Sequence, residues 1–482
     1  MYWHWSERLA DQVLSRSPPY VITSGVTPSG PVHLGTLCEF LFPEAIYRTL
    51  KSKGVEAEFY FIMDDLDALD SVNLELAKYK DFIEAEMGKP LSIAKDPEYP
   101  SYAERYIKEI EYIVNLFGAS PKIIRVSELY KKGLFTPYAK LYMNNIEKVK
   151  DIVEKTSGRT LTDWTPIMPI CENCKRIDST KVISWNDSYY EYICKCSYTG
   201  KDEYKNYKLQ WRLHWPTWQA IFNTTIEGGG VDHFTKGGSR DTAIEIHKQI
   251  LNREPPIGYK YGFVLIEGKK YSKSKGFGMY VKDMVKILPP PMIAYHLAKY
   301  DLEENIDFNP TKDKLLNIIA DYEDAQKLQG ELSRADRKRY IAFKLFGIPY
   351  KASLRDMLLY YTIYKDWNKV KVHIEIDERL IQYIDYWIKY DMVPDDYNFS
   401  YNPRPLNKYL DLIDSLNSSM QPIDIHNFIY EYAKSNNIDP KELFKFLYNH
   451  LINKDKGPRL GKLIYAIGVE RVKKDLKPHS IA

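Results

Sequence analysis

The sequence has few cysteines and no long apolar run. Its five cysteines are too few for a disulfide scaffold in 482 residues, and four of them fall within positions 171–196. No apolar stretch approaches the about 20 residues that a membrane-spanning helix needs, and the N-terminus shows no signal-peptide pattern. These absences argue against a small disulfide-rich secreted protein, and they predict a cytoplasmic protein with no membrane partner.

A strong excess of one charge is also missing. Lys and Arg number 68 against 65 Asp and Glu, which gives a net charge of +3. A polyanionic partner would therefore have to bind local basic patches. Residues 454–482 are basic, with eight Lys or Arg against three Asp or Glu. From composition alone, a solvated basic tail is the preferred interpretation.

The most informative stretch covers residues 20–36. Its apolar residues 20–22 predict a buried strand, a turn rich in Gly, Pro and Ser follows, and a long helix is predicted to begin at His33. A strand, a tight turn and a helix N-terminus form an anion site, because free N–H groups and the positive dipole end point at the ligand. The spacing matches neither a Walker loop nor Gly-x-Gly-x-x-Gly. An ordinary connection between strand and helix therefore stays an open alternative.

A second strand is predicted at residues 57–63, directly before Asp64-Asp-Leu-Asp67. The helix that precedes it is expected to have Gly54 as its C-cap, and Pro43 predicts a kink or a restart within it. Strand, helix and strand of these lengths form a βαβ unit with parallel strands. Ligands of such sheets bind beyond the carboxyl ends of the strands. We therefore expect the turn at 25–36 and the aspartates at one edge of the sheet.

Periodicity predicts further elements along the chain. An amphipathic helix should start at Ser101 and end at Gly118, a strand should follow at 122–126, and a second amphipathic helix at 138–154. Another strand is predicted at 262–266. Beyond about residue 280 the helical period dominates to the end.

Four cysteines form two close pairs, Cys171-x-x-Cys174 and Cys194-x-Cys196, in an apparent insertion of short polar segments. Two such pairs can close a tetrahedral zinc site, and a site filled by four thiolates would be structural. Buried free thiols are the alternative interpretation. Cys38 stands alone and is predicted to be a packing residue.

A lysine-rich segment at residues 269–276 follows the strand predicted at 262–266. Four lysines with two serines and a glycine can close on a triphosphate and neutralise the leaving pyrophosphate. We expect this segment at the same sheet edge as His33. A solvated charged turn is the alternative.

Three tryptophans and a glycine-rich loop follow the insertion, between Trp211 and Asp241. Tryptophans so close together are usually core residues, and this is the alternative for Trp215 and Trp218. A Trp face beside a cleft would instead hold an aliphatic stem or a cation. Polar residues of a Gly-rich loop tend to be functional, although the loop could simply be flexible. In this loop they are Asp232, His233, Ser239 and Asp241.

Taken in order, these motifs resemble the class I lysyl-tRNA synthetases, the form common in archaea. Pro31-Val-His-Leu-Gly-Thr36 resembles the His-Ile-Gly-His signature of the class, and Lys270-Tyr-Ser-Lys-Ser274 resembles Lys-Met-Ser-Lys-Ser. Asp64-Asp-Leu-Asp, the cysteine pairs, Trp211-Arg-x-x-Trp-Pro-x-Trp218, Asp232-His and Gly237-Gly-Ser-x-Asp241 complete the pattern. Thr36 replaces the second His of the first signature, and Tyr271 replaces Met of the second.

The resemblance implies an α/β protein with a Rossmann-type parallel-sheet catalytic domain, a zinc-binding insertion and an all-α C-terminal region. The catalytic domain would cover residues 1–280, with a connective insertion at 119–210 that carries the zinc module at about 169–209. Residues 281–340 would form a bridging unit that contacts the tRNA stem. Residues 341–482 would form a helical anticodon-binding domain.

The resemblance also implies an activity: lysine is activated with ATP and Mg²⁺ to lysyl-adenylate, and the lysyl group is transferred to tRNA(Lys). His33, Lys273 and Lys275 would be catalytic. The ATP-binding residues would be Pro28, Gly30, His33, Gly35, Thr36, Lys270, Ser272, Lys273 and Ser274. The lysine-binding residues would be Gly25, Thr27, Asp64, Asp65, Trp211, Trp218, His233, Ser239 and Asp241. The zinc ligands would be Cys171, Cys174, Cys194 and Cys196.

Within this set, Trp211 would stack on the aliphatic stem of lysine, and Asp64 or Asp65 would pair with an ammonium group. We expect a monomer. Two other functions stay open from the sequence. One is a non-catalytic zinc-containing RNA-binding or regulatory protein, and the other is a glutamyl-type class I synthetase.

Overall fold

A parallel sheet forms the centre of the N-terminal part of the chain. The computed structural model describes residues 2–266, 269–270 and 280–478. The strands are β1 Tyr20–Val26, β2 Ala57–Met63, β3 Lys122–Arg125, β4 Ile167–Pro169, β5 Thr180–Trp185, β6 Tyr190–Cys194, β7 Thr199–Asp202, β8 Tyr207–Leu209, β9 Ile226–Gly230, β10 Ile257–Tyr261, β11 Val264–Ile266, β12 Lys269–Lys270 and β13 Ile306–Asp307.

Helices connect and cover these strands, and they alone make up the last part of the chain. They are α1 Trp5–Leu14, α2 Leu34–Ser52, α3 Lys80–Glu84, α4 Tyr102–Leu116, α5 Val126–Lys131, α6 Thr136–Asn144, α7 Ile146–Ser157, α8 Trp211–Ile221, α9 Val231–Phe234, α10 Ser239–Gln249, α11 Val281–Ile287, α12 Pro290–Ala298, α13 Lys312–Ala325, α14 Arg334–Phe346, α15 Leu354–Tyr364, α16 Trp367–His373, α17 Glu378–Lys389, α18 Leu410–Ser415, α19 Pro422–Ser435, α20 Pro440–Ile452, α21 Leu460–Ile467 and α22 Val469–Leu476. Two short 3₁₀ helices cover Leu74–Tyr79 and Asp395–Tyr397.

The central sheet has five strands in the order β10-β9-β1-β2-β3. All four strand pairs are parallel, and Val26 at the end of β1 is level with Met63 at the end of β2. Apolar residues of β1 and β2 are buried, as the run of apolar residues predicted. The predicted βαβ unit and its shared carboxyl edge are confirmed.

The helix of this unit, α2, is continuous, although we expected an interruption at Pro43. It runs from Leu34 through Pro43 to Ser52, so a restart at the proline is wrong. Pro43 lacks only one hydrogen-bond donor, whereas 13 of the 19 residues of α2 are buried. Packing of the whole helix outweighs that single loss. Lys53 caps α2, and Gly54 follows with a φ of +73°.

The two helices predicted after α2 have different outcomes. The first is confirmed as α4, whose N-cap Ser101 accepts a hydrogen bond from the Glu104 N–H at 3.2 Å. The second is wrong as a single helix, because it divides into α6 and α7 at Asn145. The Asn145 side chain donates to the Leu141 carbonyl at 2.8 Å. Such local side-chain bonds compete with continuation of a helix.

The insertion is built from short antiparallel strands. β5, β6 and β7 form one three-stranded sheet, and β4 pairs with β8. Tyr190, Tyr192, Tyr204 and Tyr207 are each 2% exposed or less and pack edge to face or tilted against one another. Aromatic packing therefore supplies the core of this small element.

The lysine-rich segment begins away from the central sheet. β11 does not join that sheet; it pairs with β12 and β13 in a separate three-stranded sheet. Lys270 is the last described residue of β12, and it pairs with Leu265. The strand predicted at 262–266 therefore lies outside the central sheet, whereas residues 271–276 of the lysine-rich segment fall outside the described residues, and their place at the edge of His33 stays a prediction. A two-residue antiparallel strand is too short to show periodicity in a sequence.

Two compact units divide the chain. One comprises Met1–Val285, Ile293–Phe308 and Gln329–Gly347, and the other comprises Lys286–Met292, Asn309–Leu328 and Ile348–Ala482. The second unit is helical, with a core that includes Leu412, Ile429, Leu447 and Ile464. Across the described residues, no helix combines the length and apolar character needed to cross a bilayer. The finer assignment of three domains stays a prediction.

Candidate active site

Three neighbouring strands bring their carboxyl ends to one edge of the central sheet. Thr27 follows β1, Asp64 follows β2, and Asp232 lies two residues after β9. A cavity of about 430 Å³ opens at this edge. Its lining includes His33, Thr36, Glu39, Asp232, His233 and Tyr261.

His33 caps the helix that begins at this edge. Its Nδ1 accepts hydrogen bonds from the backbone N–H of Gly35 at 3.0 Å and of Thr36 at 3.3 Å. Since an accepting Nδ1 carries no proton, the neutral ring carries its proton on Nε2. Gly35 is needed here, because a Cβ at that position would come within 2.8 Å of the His33 ring. The ring therefore presents a donor at the N-terminus of α2.

The turn between β1 and α2 is held by side chains from distant parts of the unit. The Asn73 amide donates to the Ser29 carbonyl at 2.8 Å, and the Glu109 carboxylate accepts from the Val32 N–H at 2.9 Å. Of the predicted ATP-binding residues in this turn, Pro28 is buried and Gly30 is half-buried. These two hydrogen bonds hold the turn that leads into His33.

Glu39 is an acidic residue of the cavity that the sequence did not single out. Its carboxylate accepts from the Ser24 hydroxyl at 3.2 Å. Burial raises the pKa of Glu39 to about 7, and hydrogen bonds from Tyr261 and Ser24 only partly offset that effect. A single glutamate in a mostly buried helix belongs to no motif, and only the packing of that helix directs it toward the cavity.

The predicted aspartates after β2 are bound by the chain itself. The Lys208 ammonium donates to Asp64 Oδ2 at 2.8 Å and also contacts Asp67. Asp65 accepts from the Ser127 N–H at 2.8 Å and from its hydroxyl at 2.5 Å. Burial raises the pKa of Asp65 to about 6, although the two Ser127 bonds oppose this. Lys208 belongs to no motif, so it was not among the predicted site residues.

Gly25 and Trp218 meet beneath the strand ends. A Cβ on Gly25 would lie 3.0 Å from the Trp218 ring. Trp218 is 2% exposed and its indole donates to Glu227 at 3.1 Å. The Gln219 amide also donates to Glu227 at 2.6 Å, and burial raises the pKa of that carboxyl to about 7. Gly25 is therefore required by packing, and Trp218 lies in the core.

Trp211 lies between the Gly-rich loop and the core tryptophans. It stacks on Trp215 with ring centroids 5.8 Å apart, and it lies 5.9 Å from the His233 ring. Its indole donates to the Ser239 hydroxyl at 2.9 Å. Trp211 is half-buried, so this arrangement holds an aromatic surface in a fixed orientation beside His233.

The Gly-rich loop is ordered by two side chains. Asp241 accepts from the Gly237 N–H at 3.0 Å. Arg212 donates to the Gly237 and Gly238 carbonyls at 2.8 and 3.0 Å. Gly228, Gly229 and Gly230 belong to β9 rather than to the loop. Gly228 must be glycine, because a Cβ there would lie 2.2 Å from the Tyr259 ring. Asp241 thus shapes the loop.

The four cysteines of the insertion converge. Cys171 and Cys196 have their sulfurs 3.7 Å apart, Cys174 and Cys194 have theirs 3.6 Å apart, and all four sulfurs lie within 4.8 Å of one another. A tetrahedral zinc with bonds of about 2.3 Å separates its sulfurs by about 3.8 Å. The cluster therefore fits a metal ion with four thiolate ligands. Cys38 is buried in α2.

Part of the predicted site falls outside the described residues. Ser272, Lys273, Ser274 and Lys275 are not among them. The structure therefore brings His33, Thr36 and His233 to one cavity, whereas it places Trp218, Ser239 and Asp241 in the packing around it. The binding roles of all these residues stay predictions.

Comparison with known proteins agrees with this geometry. The family of tRNA synthetases class I (K) matches residues 3–345. Since this match covers well over half of the chain, the chain belongs to the class I aminoacyl-tRNA synthetases. Within that class the matching family is the one for lysine, which the letter K denotes, and this confirms the resemblance found in the motifs.

Similar proteins cover nearly the whole chain. The lysine–tRNA ligase of Picrophilus torridus is 32% identical over 501 aligned positions, which cover 97% of each chain. The lysine–tRNA ligase of Archaeoglobus fulgidus is 29% identical and covers 98% of this chain and 99% of its own. A glutamate–tRNA synthetase structure from Elizabethkingia anophelis covers 95% of this chain and 100% of its own at 12% identity, but its TM-score of 0.40 is too low to support an argument.

Proposed function

We propose that this chain activates lysine with ATP and transfers the lysyl group to tRNA(Lys). The observation that carries the proposal is the cavity at the sheet edge, which combines a helix N-terminus capped by His33 with the half-buried acid Glu39. The helix N-terminus suits an anion, and the Glu39 carboxylate suits an ammonium group. ATP supplies the anionic phosphates, and lysine supplies the ammonium.

At the phosphate end, His33 donates from Nε2 to an oxygen of the α-phosphate, which the lysine carboxylate attacks as pyrophosphate leaves. Positioning and charge stabilisation are the main contributions that a protein makes to phosphoryl transfer. Lys273 and Lys275 are proposed to neutralise the pyrophosphate, with Lys275 in support. Mg²⁺ bound with ATP would neutralise phosphate charge there.

At the amino-acid end, Glu39 is the carboxylate best suited to a substrate ammonium. A buried carboxylate is costly unless a cation approaches it, and the raised pKa of Glu39 is a sign of that cost. Asp64 already binds Lys208, and Asp65 binds Ser127. We therefore propose Glu39, rather than Asp64 or Asp65 named from the sequence, as the direct partner of the substrate ammonium. Trp211 remains the proposed surface for the aliphatic stem.

The cysteine cluster is proposed to hold a structural zinc ion. Four thiolates close a tetrahedral site and leave no position for water, so the ion would hold the insertion together without a part in the reaction. We also propose that residues 281–340 contact the tRNA stem, that residues 341–482 bind the anticodon region, and that the protein acts as a cytoplasmic monomer.

Exchange of pyrophosphate into ATP, measured with each amino acid in turn and with tRNA present, tests the activity. We expect exchange with lysine and none with glutamate. Exchange with glutamate alone would instead assign the chain to the glutamyl-type enzymes. Absence of exchange with every amino acid, in a protein that still binds RNA, would favour a regulatory RNA-binding role.

His33→Ala should reduce the exchange rate by at least about a hundredfold, because a donor aimed at developing charge contributes on that order. Circular dichroism and thermal melting serve as the control for an intact fold. A near-normal rate would remove His33 from the reaction.

A further inference from the structure

A buried chain of polar contacts reaches the carboxyl end of β1. Lys208 and Asp64 have side chains that are 1% and 2% exposed, and their charged atoms are 2.8 Å apart. The same ammonium contacts Asp67, whose side chain is 39% exposed. Asp67 in turn accepts a hydrogen bond from the Thr27 hydroxyl at 2.7 Å.

The direction of each hydrogen bond in this chain is determined by chemistry. An ammonium group only donates and a carboxylate only accepts. Asp67 therefore accepts from Lys208 on one side and from Thr27 on the other. Because the Thr27 hydroxyl gives its only proton to Asp67, its oxygen presents lone pairs to anything bound beside it.

The other end of the chain is anchored in the protein core. The Leu209 N–H donates to the Tyr130 hydroxyl at 2.9 Å, and that hydroxyl lies 2.9 Å from His214 Nδ1. His214 Nε2 lies 3.6 Å from Asp64 Oδ2, which is beyond hydrogen-bond distance. Burial keeps the pKa of His214 well below its ordinary value. A neutral imidazole therefore borders Asp64, and Lys208 is the group that neutralises its charge.

We propose that Lys208 is a positioning residue for the amino-acid site. Through Asp67 it holds Thr27 as a hydrogen-bond acceptor, and this polarity favours a substrate ammonium over a carboxylate or a neutral acceptor. Buried ion pairs contribute little to stability compared with apolar packing, so a role in orientation accounts for this one better than a role in stability. The inference rests on the proposed activation of lysine.

The test compares variants that change the charge chain without leaving an unpaired buried charge. Lys208→Met combined with Asp64→Asn removes both buried charges, and Lys208→Arg keeps the cation. Lys205→Met is the matched control, because Lys205 lies on the same insertion in an exposed pair with Glu203, each about 70% exposed. Michaelis constants for lysine and for ATP are measured by pyrophosphate exchange, with thermal melting of each variant.

We expect the double variant to raise the Michaelis constant for lysine about tenfold and that for ATP less than about twofold. Lys208→Arg should recover most of the lysine affinity, and Lys205→Met should match the wild type. An unchanged constant for lysine in a folded double variant overturns the proposal. An equal rise for lysine and ATP also overturns it, because that would indicate support of the fold alone.

Two lysine analogues sharpen the test, 6-aminohexanoate without the α-ammonium and norleucine without the ε-ammonium. Both analogues are used as inhibitors of exchange. Each lacks one of the two ammonium groups of lysine, so one analogue lacks the ammonium that contacts Thr27. Asp67→Asn should leave the inhibition constant of that analogue unchanged while it weakens the other several-fold. Equal weakening of both contradicts the proposal. Absence of lysine exchange in the wild type would instead contradict the proposed function.

Discussion

Buried Asp64 and half-buried Glu39 lie at the same end of the sheet, but they differ in the group that neutralises their charge. Asp64 has the chain's own Lys208 at 2.8 Å. Glu39 accepts from Ser24 at 3.2 Å, and no Lys or Arg of the described residues forms an ion pair with it. A motif rich in acids therefore need not be the part that binds a cation. An acid already paired within the chain supports the site, and an acid that no described Lys or Arg pairs is suited to a ligand.

The largest effect should come from removing the cation of the paired acid. Lys208→Met leaves Asp64 buried without a partner, and loss of one member of a buried pair costs about 3–5 kcal/mol. Urea unfolding measures this change. Lys205→Met is the control and should change stability by less than about 0.5 kcal/mol. A stability equal to that of the wild type would show that water reaches Asp64.

Removal of Glu39, which pairs with no described Lys or Arg, should affect lysine binding rather than stability. We expect Glu39→Gln to leave stability unchanged or slightly higher, since a half-buried carboxylate is replaced by a neutral group of the same shape. Its Michaelis constant for lysine should rise about a hundredfold, in line with loss of a charged hydrogen bond of about 3 kcal/mol. If Glu39→Gln binds lysine normally, the comparison between the two acids fails.

The pH dependence of lysine binding distinguishes the two acids further. With a pKa of about 7, Glu39 is mostly protonated at pH 6 and mostly ionised at pH 8. If only its ionised form binds the ammonium, lysine should bind about tenfold more tightly at pH 8 than at pH 6. Isothermal titration calorimetry measures this difference. In Glu39→Gln the pH dependence of lysine affinity should vanish. If it persists in that variant, another titrating group causes it.

The same raised pKa acts on stability with the opposite sign. A protonated Glu39 is favoured in the folded state, so folded protein holds more protons than unfolded protein between the ordinary pKa of about 4.5 and the raised one. Stability without lysine should therefore fall as the pH rises through this window. Melting temperatures from pH 5 to 8, compared between wild type and Glu39→Gln, measure the contribution. An identical profile in both proteins would contradict it.

The smallest effect should follow removal of the metal. β8, which carries Lys208, pairs with β4, and Cys171 lies two residues after β4. A chelator or Cys171→Ser should lower the melting temperature and release zinc. It should raise the Michaelis constant for lysine only a few-fold, because β8 keeps its own packing. If metal analysis of the untreated protein finds none, the four thiols have another role.

The local elements could be predicted because their signals are local. β2 was expected at residues 57–63 and is found there, and α4 begins after Ser101 as its cap predicted. The cysteine spacing predicted a cluster whose sulfurs do converge. The errors at Pro43 and Asn145 have a common cause. Whether a helix continues depends on what it packs against, and that information lies outside the helix.

Patterns along the chain were enough to predict the strand–turn–helix unit, the position of His33 and the family to which the chain belongs, because each depends on residues close together in the chain. Which acids are available to a ligand depends on contacts between distant residues. Lys208 is 144 residues from Asp64 and 181 from Thr27, so no pattern along the chain links them. Folding brings Lys208 to Asp64, which makes that acid part of the scaffold, whereas no described Lys or Arg reaches Glu39.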